Sequence, residues 1–565
     1  MKRELDRLAN EHFDIVIIGS GIHGAVLALE AARSGYSTAL IEKGDFGYAT
    51  SSSSLKIIHG GIRYLQHGDI KRMRESILSR RSMMKFSPHI VKPLACLMPT
   101  YGHGMKGREM MRLAFGIYDL VAFDRNSGLE KGNILPNGGS LSVSQCQQVV
   151  PGVKEGGLTG GAVWYDAIAE NTERLTLEYV KEAVRYGACA VNYTEAVSLE
   201  SQGQKGFSVL VKDHIGSRKM NTSCSVVINS AGPWVGRLSG PNSSLNDQKW
   251  ASAINIVVKK QLFKDYAVGL EGYTDYSDKD AIIKRGKRLF FFVPWRDKYT
   301  MIGTAYKPYY GLLDSFSPGI EDVKDLLDEV NAIYPDGHLT VDDVTFLHSG
   351  LLPMKEVEGG GGGDVQLDKS SKVIDHGMEG GLEGCFSIKG VKYTTAPDIA
   401  ERVLKMIEKR KLLAKKEPLA TPAGSFPGDD NFDSTITLLG GEYSVVKSHL
   451  QSVYGERWHE VFRYLVERSD AGQHDTLWVS RDPRLLRAEV LYFIYEEMAV
   501  SLADVVFRRS YIGSAECPDQ MTLSRLCLIM GGELGWDDEE RGSQIEKVMQ
   551  NYGFLQANPA PAALA

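Results

Sequence analysis

The residues best suited to chemistry are densest in "ATSSSSLKIIHGGIRYLQHGD", Ala49 to Asp69. A run of hydroxyls, Thr50 and Ser51 to Ser54, precedes Lys56, His59, the Gly60-Gly61 pair and Arg63. Hydroxyls can satisfy the oxygens of a phosphorylated ligand, an imidazole can carry a proton near neutral pH, and a guanidinium can grip an anion with parallel N–H donors. A second cluster, "GSGIHG", runs from Gly19 to Gly24. It follows the apolar run "FDIVIIG", opens a helical pattern, and has Glu42 at the end of the next strand pattern, the spacing of a dinucleotide fingerprint. In that reading Gly19 permits the turn, Gly21 admits a pyrophosphate to the backbone, and Gly24 lets helix and strand pack closely. The helix N-terminus offers N–H groups and a positive dipole end to the phosphates, and Glu42 accepts from ribose hydroxyls. The alternative is a glycine-rich turn with no ligand.

The elements that must position these groups are legible around them. "FDIVIIG", "IHGAVLALEAARSG" and "YSTALIE" read as strand, helix and strand, a βαβ unit. Later come a helix in "NTERLTLEYVKEAVRYG", a strand in "ACAVNYTEAVSLE", and a Gly-punctuated strand in "CSVVINSAGPW". "RLFFFVPW" and "YTMIGTAY" read as neighbouring strands joined by a short polar turn, within a substrate-facing layer inserted into the dinucleotide fold. "GGGGG", Gly359 to Gly363, reads as a surface loop. "GCFSIKGVKYTTAPDIAERVLKMIEKRK" returns to strand, turn and amphipathic helix, and "LATPAGSFPGDDN" is a linker. Beyond it "LRAEVLYFIYEEMAV" and "LADVVFRRS" have helical spacing. The fingerprint serves NAD and FAD alike. The hydroxyl run after Glu42, together with the late strand, glycine turn and helix of "KGVKYTTAPDIAE", suits a long bent cofactor held from both ends, and favours FAD.

At 565 residues the chain calls for two or three domains. A net charge of -6 gives no general attraction to nucleic acid. The local cluster Lys71, Arg72, Arg74, Arg80, Arg81 and Lys85 reads as a solvated helix face, with a membrane-surface role as the alternative. Seven scattered cysteines without CxxC or metal-ligand spacing fit a reducing compartment. "MKRELDRLANEHF" has no apolar signal core and no apolar run approaches the ~18 residues of a spanning helix. The expected location is the cytoplasm, free or peripheral on the cytoplasmic membrane.

"IIGSGIHGAVLALEAARSG", "ATSSSSLKIIHGGIRYLQ", "VINSAGPWV", "MIGT" and "KGVKYTTA" resemble the FAD-dependent glycerol-3-phosphate dehydrogenases and oxidases, within the D-amino-acid-oxidase-like flavoproteins. "LRAEVLYFIYEEMAVSLADVVFRRS" is similar to that family's helical C-terminal domain. The resemblance implies an α/β fold: a Rossmann-type FAD-binding domain, discontinuous over residues 12–425, with an inserted β-sheet substrate domain at 86–165 and 250–370, and a C-terminal α-helical domain at 430–565. By that similarity Thr50, Ser51, Ser52 and Ser54 would hold FAD phosphates and flavin-side polar groups, and Ala231 and Gly232 would underlie the adenine half. Lys392, Tyr393 and Thr394 would lie near the isoalloxazine, and Lys43 and Gly390 would complete the cofactor shell. Gly60 and Gly61 would bring backbone close to the flavin. The reaction implied is hydride transfer from a secondary alcohol to flavin N5 while a base removes the hydroxyl proton. Arg63 would bind the anionic end, His59 is a candidate base or hydroxyl orienter, and Lys392 and His348 are further catalytic candidates. For His59 the other reading is a buried imidazole satisfied by backbone.

Two segments depart from the family pattern. Where it has Ser-Gly-Val-Arg-Pro, this chain has "HSGLLP" with Leu352 at the phosphate-clasping arginine; where it has Gly-Thr-Thr-Asp, the chain has "GTAYKP" with Ala305 and Tyr306. Lys307 or Lys355 could supply the lost cation, or Tyr306, His348 and Leu352 reshape the pocket for another substrate. The expectations are therefore oxidation of sn-glycerol 3-phosphate to dihydroxyacetone phosphate, the same flavin chemistry on another polyol phosphate, hydroxy acid or amine, or a non-catalytic flavin-binding redox sensor. Partners expected are a small substrate and a quinone or O2 as acceptor, with a possible homodimer. No EF-hand pattern or other metal site is expected, which matches bacterial rather than mitochondrial relatives.

Overall fold

The structure, a computed structural model, describes residues 1–103, 107–240, 243–277, 285–355, 365–422, 439–468 and 477–555. The pentaglycine stretch and most of the linker after Pro422 lie outside the described residues.

The first sheet has eight strands. Across it run Lys372–Asp375, Cys385–Lys389, Lys219–Asn229, His12–Ile18, Thr38–Ile41 and Cys189–Val191, with Thr194–Ser201 and Phe207–Asp213 joined as an antiparallel extension. The five strands from Cys385–Lys389 to Cys189–Val191 are mutually parallel. Parallel strands are covered on both faces, which is why His12–Ile18 and Thr38–Ile41 read as near-continuous apolar runs. Helices Ile22–Arg33, Thr172–Arg185 and Ala396–Lys409 bury alanine- and leucine-rich faces in one core with these strands. The strand order reverses between His12–Ile18 and Lys219–Asn229, and such a switch point opens a crevice at the carboxyl ends of the strands. The "GSGIHG" turn leaves one of these strands and "SAGPW" the other.

The second sheet has nine strands, in the order Val344–Met354, Lys249–Val258, Tyr299–Tyr309, Arg285–Trp295, Ala267–Ser277, Val91–Tyr101, Leu158–Ala169 and Ile57–Ile58, with Gly139–Leu141 beside Leu158–Ala169. "RLFFFVPW" and "YTMIGTAY" pair antiparallel, Trp295 opposite Tyr299, as their pattern predicts. Helix Ile320–Ile333 covers one face, its Val323, Leu326, Leu327 and Val330 packing on Ile254, Ile302 and Phe292. The other face looks toward the hydroxyl loop.

The C-terminal segment is mainly helical, with Glu442–Tyr454, Trp458–Arg468, Arg487–Glu497, Gln520–Leu534 and Asp538–Gln550 around their own apolar core and a short hairpin, Trp478–Arg481 with Arg484–Leu486. The helix expected in "LADVVFRRS" is present, as a π-helical turn over Asp504–Arg509. The consecutive Arg508 and Arg509 both reach the Asp45 carboxylate. Asp45 lies just past the strand that ends near Glu42, so the turn ties the helical segment to the cofactor domain. Glu497 does the same, bound by Arg174 at 2.8 Å and Lys181 at 2.7 Å, all three buried. Four cations and two carboxylates this far from water are retained because each charge has an opposite partner.

Candidate active site at the sheet junction

The fingerprint is built by close approach. Gly19 has φ +95°, and a side chain there would strike the Ser230 carbonyl at 2.7 Å; a Cβ on Gly24 would stand 1.9 Å from the Gly19 carbonyl and 2.6 Å from Ser230 Oγ. Ser230 Oγ donates toward the carbonyls of Ile18 and Gly19, which draws Ala231 and Gly232 against the fingerprint. Helix Ile22–Arg33 begins after Gly21 with no side-chain cap of its own. Glu42 is buried, and its carboxylate accepts from the backbone N–H groups of Ser20 at 2.7 Å and Gly44 at 3.0 Å. Burial raises its pKa above the ordinary value against the pull of these donors. Lys43 stacks 3.6 Å from the Trp234 ring and faces Asp314 at the outer rim. His23, in the middle of the fingerprint, packs on Gly390, and its buried Nε2 has no partner. Burial alone pushes that imidazole down to about 4. The bare glycine cradle, a helix start that its own N-cap glycine leaves open and this orphaned nitrogen fit the donor-rich, closely approached surface that a dinucleotide cofactor requires.

The hydroxyl run lies beside this cradle, but its members differ. Ser51 Oγ accepts from the Ile22 N–H at 2.9 Å, at the mouth of the fingerprint helix. Thr50 packs on Gly350 and donates to the Leu351 carbonyl at 3.4 Å, joining the loop to the second sheet. Ser52 instead donates back to the Ala49 and Tyr48 carbonyls, and Ser54 Oγ accepts from the Lys56 N–H, so these two hydroxyls shape the turn. Asn255 ties the loop to the sheet, donating to the Ser53 carbonyl at 3.1 Å while accepting from Thr304 Oγ1 at 2.7 Å. Lys56 is fully buried, with Nζ on both Glu173 oxygens, Thr172 Oγ1 and the Ser52 carbonyl.

His59 follows the two-residue strand Ile57–Ile58, whose Ile58 pairs with Ala167. The antiparallel register therefore sets His59 opposite Asp166. Its ring is half-exposed, not buried, with Nδ1 3.6 Å from Asp166 Oδ2, and the His59 backbone N–H donates to Thr394 Oγ1 at 3.1 Å. Asp166 is buried and accepts from Gly60 N–H, from Arg80 at 2.7 Å and from Trp164 Nε1 at 3.1 Å. Burial would raise its carboxyl, but His59, Arg80 and Gly60 outweigh it and hold it down to about 2. Gly60 is bare because a Cβ would meet Arg80 Nη1 and Tyr118 Oη at 2.2 Å. That contact, with helix Ile70–Phe86 and helix Arg108–Val121, is what the structure shows for the glycine expected at the flavin. Lys392 donates to the Tyr64 hydroxyl and lies 4.2 Å from its ring centre. Burial, then Arg63 and Arg72, lower Lys392 to about 8, which places exposed Arg63 in the same electrostatic neighbourhood. Arg63 also influences Tyr306.

Other expected residues stand elsewhere. Tyr393 sends its hydroxyl to the Thr172 carbonyl and Thr176 Oγ1, pinning helix Thr172–Arg185. His348 is fully buried, its Nε2 on the Ser514 carbonyl at 3.0 Å and its ring edge-on to Phe346. Burial and nearby Lys56 drive its pKa well below the ordinary value, so a neutral ring bridges to the C-terminal segment, in place of the catalytic position expected. Along Tyr299–Tyr309 side chains alternate, so Tyr306 and Lys307 face opposite sides. Lys307 turns to helix Ile320–Ile333 and pairs with Asp322 at 2.9 Å and Asp325 at 2.7 Å, away from Arg63. It lines a cavity of about 60 Å³ with Ser252, Arg288 and Glu329 behind the sheet. Lys355 is exposed beyond the end of strand Val344–Met354. Neither lysine stands in for an arginine at Leu352. Leu352, opposite Ala251 in register, and Gly350, opposite Ala253, share the face that carries Tyr306. The residues that sequence reasoning missed are Asp166, Trp164, Tyr64, Asn255 and His23, and Arg80 was read as part of a solvated face; of these His23, inside the fingerprint, and Tyr64, inside the hydroxyl segment, carried a local signal.

A family model described as FAD dependent oxidoreductase matches residues 14–403, and one described as C-terminal domain of alpha-glycerophosphate oxidase matches residues 429–541. The chain is 28% identical to a glycerol-3-phosphate dehydrogenase of Synechocystis sp., over 99% of each chain. It is 30% identical to an alpha-glycerophosphate oxidase of Streptococcus pyogenes, over 78% of this chain and 69% of the relative. The solved structure of a glycerol-3-phosphate dehydrogenase from Bacillus halodurans complexed with FAD has the same fold, with a TM-score of 0.69, 22% identity and 98% of each chain covered.

Proposed function

The chain belongs to the FAD-dependent oxidoreductase family, and from that premise we propose that it oxidises sn-glycerol 3-phosphate to dihydroxyacetone phosphate. The observation that carries this reading is the convergence of His59, Arg63, Lys392 and Tyr306 beside the fingerprint, on the side of the second sheet that faces the hydroxyl loop. FAD supplies the acceptor for the hydride that leaves the carbinol carbon. His59 takes the hydroxyl proton as the C–H bond breaks, leaving the ketone, and its exposed ring passes that proton to solvent. Arg63 and Lys392 hold the anionic end, and Ser51 and the first turn of helix Ile22–Arg33 hold the cofactor phosphates. Glu42 fixes the fingerprint backbone through Ser20. Electrons then leave to an acceptor, a quinone or O2. The test is anaerobic addition of glycerol 3-phosphate to the FAD-loaded protein: the flavin bleaches, and an unchanged spectrum at millimolar substrate would sink the reading.

A second reading rests on Leu352. A leucine on the site face cannot pair with phosphate, and losing a bidentate arginine costs a few kcal/mol. A hydroxy acid or less charged polyol would then bleach the flavin where glycerol 3-phosphate does not.

Lys392 makes the reaction pH-dependent. Its ammonium is complete below its shifted value of about 8 and is lost as the pH rises through it. Flavin reduction should therefore fall above about pH 8 in rapid-mixing kinetics. Lys392→Met should show a low rate with no such fall.

Among the described residues no helix is long and apolar enough to cross a membrane. The basic face of helix Ile70–Phe86 is largely spent within the protein, since Arg74 and Arg81 share Asp124, Arg80 binds Asp166, and Arg72 binds Asp69. Helix Arg108–Val121 instead exposes Met110, Leu113, Ile117 and Leu120 at helical spacing, with Phe123 just beyond; Leu120 and Phe123 are 76% and 80% exposed. Such a stripe supports peripheral attachment, apolar side chains dipping below the headgroups while Arg112 and Lys71 lie at the surface. Leu120→Glu with Phe123→Glu should abolish co-sedimentation with anionic lipid vesicles and leave flavin reduction unchanged. A dimer that dissociates in this variant, with vesicle binding absent from the parent, would reassign the stripe to self-association.

A further inference from the structure

We propose that Asp166 is the positioning residue of the proton-transfer site, holding His59 with Nδ1 inward so that Nε2 is presented to the substrate hydroxyl. The proposal rests on the reading of His59 as the base. Neither residue predicts the other from sequence; the register does, since Ile57 and Ile58 pair with Ile168 and Ala167 and the next position along each strand brings His59 and Asp166 face to face. The carboxylate is itself held rigidly. Its Oδ1 accepts from Gly60 N–H and Arg80, and its Oδ2 from Trp164 Nε1, so it cannot turn away from the imidazole without abandoning buried donors. Arg80 is fixed in turn by the Tyr165 carbonyl and the Tyr118 hydroxyl, and Tyr118 donates to the Gly60 carbonyl.

The arrangement joins three elements behind one half-exposed ring. Strand Leu158–Ala169 supplies Asp166 and Trp164, helix Ile70–Phe86 supplies Arg80, and helix Arg108–Val121 supplies Tyr118. The charged groups that share this segment of the site are Arg63 and Lys392, with Tyr64 beside Lys392. At 3.6 Å the Asp166 contact is just longer than a hydrogen bond, yet an acceptor-only carboxylate beside Nδ1 selects the tautomer with hydrogen there and the lone pair on Nε2. When the ring takes a proton, the same carboxylate stabilises the cation without accepting the proton itself.

Asp166→Asn and Asp166→Glu, loaded with FAD, decide the proposal. In Asp166→Asn the rate of flavin reduction at saturating glycerol 3-phosphate should fall about 10- to 100-fold, less than loss of the base itself would cause, with KM within about threefold. Removing the negative charge destabilises the protonated ring, so the acidic limb of the pH-rate profile should move to lower pH; Asp166→Glu should recover most of the rate. An unshifted limb, or equal loss in both variants, would overturn the assignment. Should Asp166→Asn fail to fold for want of a partner to Arg80, nitrogen NMR of histidine-labelled holoenzyme, assigned by difference from His59→Gln, still decides: Nδ1–H supports the proposal and Nε2–H refutes it. The tautomer is readable whether or not glycerol 3-phosphate is the substrate, so failure of the substrate reading and failure of the positioning role give different results.

Discussion

His59→Gln should slow flavin reduction by glycerol 3-phosphate about 10²- to 10⁴-fold while FAD remains bound. That range is about 3 to 5.5 kcal/mol of barrier, the usual yield of one well-placed general base. Glutamine keeps the length and polarity of the side chain but cannot accept a proton. The local fold should survive, because the backbone N–H of His59, not its ring, makes the bond to Thr394. The ring is half-exposed and fills no core, which separates a chemical effect from a packing effect. Stopped-flow absorbance, with the flavin-to-protein ratio as control, measures it. A rate within about threefold of the parent would remove His59 from the mechanism and leave the hydroxyl proton to water.

Gly24→Ala should bind FAD about 10- to 100-fold more weakly. The added methyl would lie 1.9 Å from the Gly19 carbonyl, on the turn that must approach the cofactor, and 2.6 Å from Ser230 Oγ on the neighbouring strand's turn; the Gly19 backbone cannot yield as a flexible side chain can. Overpacking of this kind costs about 1–3 kcal/mol where the chain can adjust. Spent on the fingerprint, that weakens FAD by about 10- to 100-fold. Gly116→Ala, on an exposed helix with nothing near its Cβ, is the matched control and should retain FAD. Flavin fluorescence titration of both variants makes the comparison, and equal affinity would show that the helix can shift away without loss.

The dinucleotide half of the molecule was legible because its signals are local. A strand, a tight glycine turn, a helix and an acid lie within a span the eye can test, and Gly19, Gly24 and Glu42 meet in the folded chain as that span requires. His59 and Arg63 were readable as reactive types in one short segment. Asp166 was not, because it lies 106 residues from Gly60, and only strand register brings them together. His348 shows the opposite failure: a histidine in a promising segment looks reactive until burial against the Ser514 carbonyl is seen. Lys307 could have been set aside earlier, since adjacent residues on a strand face opposite ways and Tyr306 already claimed the site face. The basic cluster misled for a related reason. Periodicity identifies the exposed face of a helix, but not the carboxylates such as Asp124 that another segment brings to meet it.

The buried charges that join the helical segment to the cofactor domain bear on how genetic lesions in this protein should be sorted. Arg509 lies 464 residues from Asp45, yet the two are in contact, and Asp45 follows closely on the Glu42 that steadies the fingerprint. A missense change at Arg509 or Glu497 is therefore expected to act as a lesion of the fingerprint glycines does, loosening FAD, and flavin fluorescence titration of the purified variant would show it.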